Sequence, residues 1–118
     1  MDLVDVERFG RVMERQGEAF LKRVFTEGER VYCGTKGSPA PFFAARFAVK
    51  EAVSKAFGTG IGRQMGWLEI EVQRLESGAP VVKLSGGAAR LAQERGVREI
   101  LVTLSHTDGV AGATVLLQ

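Results

Sequence analysis

The stretch 42–57 constrains the fold of this chain most, because it contains no glycine or proline and is rich in alanine. Alanine is the strongest helix former, and loops rich in glycine or proline bound the stretch at 36–41 and from Gly58 onward. Apolar residues recur along one side of it at helical spacing: Phe42, Ala45, Val49, Ala52, Val53 and Ala56. The sequence therefore predicts one long helix over 42–57 that ends at Gly58 and packs its apolar side into the core.

Shorter elements flank this helix on both sides. Before it, two helical segments lie on either side of Gly17, and Thr26 with Glu29 forms a capping-box pattern that starts a short helix ending near Gly34. After it, alternating apolar residues predict strands at 68–73, 81–84, 99–105 and 110–117, with a helix capped by Ser85 between the second and third. We predict a single α+β domain over residues 1–118, in which an antiparallel sheet packs against a long central helix.

Charge is nearly balanced over the whole chain but is unevenly distributed. Sixteen Lys and Arg residues oppose fourteen Asp and Glu residues, a net charge of +2 that is too small to indicate nucleic acid as a partner. One Tyr and one Trp also leave few rings for stacking on bases. Six basic residues nevertheless crowd the first quarter: Arg8, Arg11, Arg15, Lys22, Arg23 and Arg30. They form either a surface for an acidic partner or, because acidic residues are interleaved, an ordinary solvated helix face.

The sequence gives no sign of a membrane or secretory location. No apolar run approaches the roughly 18 residues of a membrane span, and the first residues lack a basic-then-apolar secretion signal. The single cysteine, Cys33, excludes an internal disulfide. We expect a cytoplasmic protein with no membrane partner.

Charged residues on the predicted long helix allow two interpretations. Glu51 and Lys55 stand at i and i+4, the spacing of a surface ion pair. Alternatively, Glu51 holds a hard cation such as Mg²⁺, and the lysine contacts a phosphate that the same cation binds. Asp2 is a candidate second carboxylate, although spacing does not show that it lies near Glu51.

The glycine-rich loop 58–62 and the single histidine also leave alternatives open. The order helix, glycines, strand excludes a dinucleotide fingerprint, and no Lys-Ser or Lys-Thr follows as in a P-loop. The loop either stops the helix or offers bare backbone N–H groups to a phosphate. His106, after Ser105 at a strand end, is either a structural residue or a ligand contact.

Residues 46–61 (RFAVKEAVSKAFGTGI) resemble the signature of the holo-[acyl-carrier-protein] synthases, a family of phosphopantetheinyl transferases. Further segments fit the family's N-terminus, second helix, hairpin turn and last strands, so the resemblance spans essentially the whole chain. These segments are residues 2–8, Phe25-Thr26 with Glu29, residues 78–80, and residues 104–106 with Ala111 and Ala113. The resemblance implies a phosphopantetheinyl-transferase-like fold and a homotrimer with active sites between subunits.

The resemblance also implies a reaction and its residues. The reaction is Mg²⁺-dependent transfer of 4′-phosphopantetheine from coenzyme A to a serine of an apo acyl carrier protein, which releases adenosine 3′,5′-bisphosphate and supports fatty acid biosynthesis. Asp2 and Glu51 are implied as the metal ligands, and Glu51 and Lys55 as the catalytic residues. The implied coenzyme A contacts are Arg46, Lys55, Gly58, Thr59, Gly60, Ser105 and His106, and the implied carrier-docking residues are Arg8, Lys22 and Arg23.

The chain departs from the family at its start. A short apolar strand normally precedes the aspartate, whereas Met1 directly precedes Asp2 here, and an unsupported terminus is expected to fray. Two other function classes are weighed beside the transferase: a thioesterase-like coenzyme A enzyme, which a charged face over 46–55 disfavours, and a non-catalytic polyanion-binding module.

Overall fold

The computed structural model describes residues 1–118 and contains four α-helices and five β-strands. The helices are α1 (Val6–Val24), α2 (Glu27–Gly34), α3 (Pro39–Ala56) and α4 (Gly86–Glu94). The strands are β1 (Asp2–Asp5), β2 (Ile70–Arg74), β3 (Pro80–Leu84), β4 (Ile100–His106) and β5 (Val110–Leu117). This arrangement confirms the predicted α+β class.

The strands form two antiparallel sheets around the long helix α3, where the sequence predicted one. One sheet has the order β1–β5–β4, and β2 pairs with β3 in a separate hairpin whose strand β3 lies alongside β4. In the first sheet, Asp2 lies opposite Ala113 and Leu3 lies opposite Gly112. Burial alternates along β1, so Asp2 faces the interior while Leu3 faces outward.

Helix α3 is central because both of its sides are covered. Its alanines and valines contribute to two hydrophobic clusters, one shared with α1 and α2 and the other with β2, α4 and β5. The helix begins at Pro39, so the loop predicted for 36–41 is wrong in its second half. Proline fits there because the first turn of a helix has no carbonyl partners for its N–H groups.

Two other boundaries differ from the sequence prediction. The strand predicted from residue 68 starts at Ile70, because Trp67–Glu69 forms a short 3₁₀ turn. Helix α1 contains both predicted helical segments, and Gly17 between them has φ 66° and ψ −155°, which is not helical. The predicted interruption at Gly17 is therefore confirmed as a bend.

A fully buried ion pair joins α2, α3 and β2. The Lys50 ammonium lies 2.8 Å from Glu29 Oε1 and also donates to the carbonyls of Trp67 (2.9 Å) and Ile70 (2.6 Å). Glu29 accepts in turn from the backbone N–H groups of Thr26 and Val72. Burial lowers the pKa of Lys50 and the Glu29 carboxylate opposes that effect. Every charged atom of the pair has partners, which is the condition for keeping charges in a core.

Removing one member of this pair should strongly destabilise the fold. We expect Lys50→Met to lower the free energy of unfolding by about 3–5 kcal/mol, because Glu29 stays buried without its counter-charge. Urea denaturation followed by circular dichroism measures the change.

Two variants make this test specific. Adding Glu29→Gln to Lys50→Met should recover part of the loss, since no unpaired charge then remains in the core. The matched control is Lys83→Met on the exposed side of β3, for which we expect a change within about 0.5 kcal/mol. Equal losses at positions 50 and 83 would contradict the structural role of the pair.

Candidate functional site

Strand β1 carries Asp2 to the C-terminal end of helix α3. Asp2 Oδ1 accepts a hydrogen bond from Lys55 Nζ at 2.6 Å, and the side chain of Asp2 is 10% exposed while that of Lys55 is 63% exposed. The hydrogen bond and the negative charge of Asp2 raise the pKa of Lys55. The surface ion pair expected between Glu51 and Lys55 is not formed, because Lys55 pairs with Asp2 instead.

Glu51 lies one helical turn before Lys55 and is half-buried at the same place. Burial, and then the negative charge of Asp2, raises the pKa of Glu51, while the charge of Lys55 opposes the rise. Asp2 and Glu51 thus lie close enough for their charges to interact. The structure brings together the two carboxylates that spacing could not connect.

These carboxylates fit a magnesium ion. Asp2 Oδ2 is buried and has no hydrogen-bond partner, so one oxygen of the pair is left for a further ligand. Both donors are hard carboxylate oxygens, the type that Mg²⁺ prefers. Mg²⁺ commonly takes only one or two protein carboxylates and completes its shell with phosphate oxygens and water, so two such donors are sufficient.

The glycine loop after α3 acts mainly as a helix stop. The N–H groups of Gly58, Thr59 and Gly60 donate to the carbonyls of Ser54 and Lys55, and Gly58 and Gly60 both have positive φ. These N–H groups are therefore already hydrogen-bonded within the chain, which favours the helix stop of the two alternatives left open by the sequence. A Cβ on Gly58, Gly60 or Gly62 would meet nothing within 4 Å, so the outer surface of the loop is open.

A cationic cavity of about 200 Å³ lies at the other end of α3, and we call it the Arg46 pocket. Its lining residues are Phe42, Ala45, Arg46, Arg74, Leu104, Ser105 and His106. The structure thus brings together Arg46, Ser105 and His106, three of the residues that the family resemblance implied as contacts of one ligand.

The Arg46 guanidinium donates from Nη1 to the Phe42 carbonyl at 3.4 Å. It lies 4.4 Å from the ring centre of Tyr32, and its Nε is buried without a hydrogen-bond partner. The His106 imidazole packs edge-on against Phe42, with ring centres 4.6 Å apart. Arg46 and Lys50 are buried, so the charged face predicted over 46–55 exists only at its Glu51–Lys55 end.

Arg74 is the pocket residue that sequence reasoning missed. It lies at the end of β2. Its guanidinium is 5.8 Å from the ring centre of Tyr32, the same ring that the Arg46 guanidinium contacts. Strand β2 carries no local motif that marks Arg74, and only the packing of β2 beside α3 places it there. A second arginine makes the pocket strongly suited to an anion.

The basic residues of α1 are exposed and differ in their partners. Lys22 lies 4.0 Å from Glu18, as expected of a solvated helix face. Arg8 and Arg23 form no salt bridge, and Arg23 Nη2 donates to Gln16 Oε1 at 3.3 Å. These two arginines keep their charge available for a partner.

No helix is both long and apolar enough to cross a membrane.

The chain is similar to known proteins over nearly its full length. Residues 1–113 match the sequence model of the 4′-phosphopantetheinyl transferase superfamily. A holo-[acyl-carrier-protein] synthase from Syntrophotalea carbinolica is 45% identical over 99% of this chain and 91% of the relative. One from Solibacter usitatus is 42% identical over 100% of this chain and 94% of the relative.

Solved structures agree with these relatives. The crystal structure of holo-[acyl-carrier-protein] synthase from Neisseria meningitidis matches with a TM-score of 0.92 and 28% identity, covering 99% of this chain and 94% of that one. The Helicobacter pylori enzyme in complex with coenzyme A matches with a TM-score of 0.88 and 30% identity, covering 99% and 96%.

The proximity of the two carboxylates can be tested without any ligand. Asp2→Asn should lower the pKa of Glu51 toward its ordinary value of 4.5, because the variant removes the negative charge that helps to raise it. A carbon-13 NMR titration of the Glu51 carboxyl group measures the shift. Glu7→Gln, on the exposed first turn of α1, is the matched control and should leave the Glu51 titration unchanged. An unchanged pKa in Asp2→Asn would mean that the two carboxylates do not converge.

Proposed function

The chain belongs to the 4′-phosphopantetheinyl transferase superfamily, and on this premise we propose how its own residues carry out the transfer. It is a holo-[acyl-carrier-protein] synthase: it moves 4′-phosphopantetheine from coenzyme A to a serine of an apo acyl carrier protein. The observation that carries the assignment of the active site is the convergence of Asp2, Glu51 and Lys55 at one end of α3.

Asp2 and Glu51 are the proposed magnesium ligands. The buried, unpartnered Asp2 Oδ2 and the mutual repulsion of the two carboxylates support this assignment, since a cation removes both costs. When bound, Mg²⁺ neutralises charge on the diphosphate of coenzyme A.

The remaining chemistry is assigned to side chains of the same cluster. The carrier serine oxygen attacks the phosphorus that bears pantetheine, and the bond from that phosphorus to the oxygen of the leaving phosphate breaks. Glu51 accepts the serine proton through a water molecule, and Lys55 neutralises charge on the departing adenosine 3′,5′-bisphosphate. Lys55 is 63% exposed and extends toward solvent, so it can exchange Asp2 for a phosphate oxygen. Such positioning and charge neutralisation supply most of the catalysis in phosphoryl transfer.

Coenzyme A is proposed to lie along α3 between the carboxylate cluster and the Arg46 pocket. The buried guanidinium of Arg46, with Ser105, His106 and the added Arg74, suits an anionic group of the cofactor. Gly58, Thr59 and Gly60 contribute an open surface without side-chain obstruction rather than backbone donors.

Docking of the acidic carrier protein is proposed to use Arg8, Lys22 and Arg23. All three are exposed on α1, and two of them have no acidic partner within the chain. A surface of this kind attracts an acidic helix over the distance of a Debye length.

A homotrimer is proposed from the outer face of the β1–β5–β4 sheet. Burial alternates along these strands, and four of the outward positions carry exposed apolar side chains: Leu3, Leu101, Val110 and Leu116. Apolar surface of this extent is typical of a protein interface. We further propose that the enzyme works in the cytoplasm and serves fatty acid biosynthesis.

The alternative enzyme class has lost its structural basis. A thioesterase-like enzyme would need a hydrophobic helix wrapped by one broad sheet, whereas α3 packs against a three-stranded sheet and a separate hairpin. Helix α3 also buries two charged side chains, Arg46 and Lys50, so it is not the hydrophobic helix that a thioesterase-like enzyme needs.

Glu51→Gln should abolish transfer even at saturating Mg²⁺, with a loss of about 100-fold or more, because the variant removes both a metal ligand and the proton acceptor. Mass spectrometry of an apo carrier protein incubated with coenzyme A, Mg²⁺ and the enzyme counts the added phosphopantetheine. Glu76→Gln, an exposed residue in the β2–β3 turn, is the matched control and should transfer normally. Full activity in Glu51→Gln would refute the role of Glu51.

Charge reversal on α1 should weaken binding of the carrier protein without affecting binding of coenzyme A. Arg8→Glu and Arg23→Glu are expected to raise the apparent KM for the carrier, with a dependence on salt, and to leave the KM for coenzyme A unchanged. Steady-state kinetics with each substrate varied in turn measures both constants. Arg98→Glu, an exposed arginine outside α1, makes the same change of charge and should affect neither. An equal rise in both KM values would show that the docking assignment is wrong.

A further inference from the structure

Gly17 has a backbone conformation that other residues do not adopt. Its φ of 66° and ψ of −155° lie in a region that is essentially limited to glycine. A Cβ at this position would meet nothing within 4 Å. Glycine is therefore required here by the bend of the backbone and not by any shortage of space.

The bend folds α1 back on itself. Phe9 precedes it and Phe20 follows it, eleven residues later, and a straight helix would separate their Cα atoms by about 16 Å along its axis. Their rings are instead in edge-to-face contact, with centres 5.9 Å apart. Both halves of α1 thus pack against one aromatic cluster, and the angle between them is fixed by that contact.

The bend also divides the basic residues of α1 into two groups. Arg8 lies on the first half, while Lys22 and Arg23 lie on the second. Arg23 donates to Gln16, directly before the bend, and its guanidinium lies 5.9 Å from the ring centre of Phe20, three residues after Gly17. The place of Arg23 relative to Arg8 therefore depends on the conformation of Gly17.

We propose that Gly17 is a positioning residue for the carrier protein: its bend sets the spacing between the two basic groups so that they match acidic groups on one helix of the partner. This inference rests on the proposed docking role of Arg8, Lys22 and Arg23. The attraction between charges falls with their separation, so a partner with rigidly spaced carboxylates distinguishes a bent α1 from a straightened one. The coenzyme A contacts proposed above include no residue of α1, so the binding of coenzyme A should not depend on the bend.

The test compares L-alanine with D-alanine at position 17, because the two enantiomers favour opposite signs of φ. In Gly17→Ala the L-residue is strained at the native angles, whereas a D-alanine at position 17 adopts them readily, because they mirror the extended polyproline region of L-residues. Cys33 is the single cysteine, so a synthetic peptide of residues 1–32 can be ligated to recombinant residues 33–118 to give the full chain. The semisynthetic chain with glycine at position 17 is the reference.

We expect the L-alanine chain to raise the KM for the carrier about fivefold to tenfold, the effect of losing one or two exposed ion pairs, with kcat and the KM for coenzyme A unchanged. The D-alanine chain should stay within about twofold of the reference. Gly10→Ala adds a methyl group to the same helix at an ordinary 3.6 Å from Ala40 Cβ and should not change the KM for the carrier. Equal KM values for the L- and D-alanine chains would overturn the proposal.

Gln16→Ala keeps the test decisive if the L-alanine chain does not fold. It removes the partner of Arg23 and leaves the bend intact, so a rise of about twofold to fivefold in the KM for the carrier is expected, and no rise would overturn the proposal. The charge reversals at Arg8 and Arg23 separate the two levels of inference. If they raise the KM for the carrier while Gly17→Ala does not, the positioning role alone is wrong; if they have no effect, the docking surface is wrong as well.

Discussion

The ion pair between Lys50 and Glu29 is the interaction on which the rest of the structure depends. It is completely buried, and its hydrogen bonds reach the chain at Thr26, Trp67, Ile70 and Val72. One pair of side chains therefore fixes α2, the 3₁₀ turn and β2 against the central helix. Lys50 is followed directly by Glu51, so the best-anchored residue of α3 adjoins a residue of the active-site cluster. A buried charge pair of this kind fixes geometry more than it adds stability, and here the geometry it fixes is that of the site.

Two kinds of charge environment lie along α3. At its C-terminal end the carboxylates of Asp2 and Glu51 repel each other, and Lys55 partly compensates them. At the other end an arginine is buried with one nitrogen unpaired. The carboxylate pair is short of positive charge, and Arg46 Nε is short of an acceptor. A substrate that carries several phosphates together with a cation would supply both, which supports the proposed placement of coenzyme A along this helix.

Local features were predictable from the sequence, and contacts between distant segments were not. Helix α3 follows from its alanines and from the absence of glycine and proline, and the cap of α2 follows from Thr26 and Glu29. The convergence of Asp2 with Glu51 depends on the register of β1 against β5, which no local spacing encodes. Arg74 enters its pocket for the same reason, through the packing of a strand. The family resemblance named most of the proposed site residues, but it did not show that Lys50 is a core residue or that the N–H groups of the glycine loop bond to carbonyls of α3.

The alternation of β1 carries a consequence for the whole molecule. Leu3 lies over Gly112 so closely that a Cβ on that glycine would stand 2.9 Å from Leu3 Cδ2. Gly112 thus leaves room for the Leu3 side chain, while the register of the first strand is set by its pairing with β5, from Asp2 opposite Ala113 to Asp5 opposite Val110. A slip by one residue would turn every side chain of that strand over and send the aspartate outward to the solvent. The direction of the Asp2 carboxylate is therefore a property of strand pairing, and a change that shifts β1 along β5 would move this carboxylate without altering residue 2 itself.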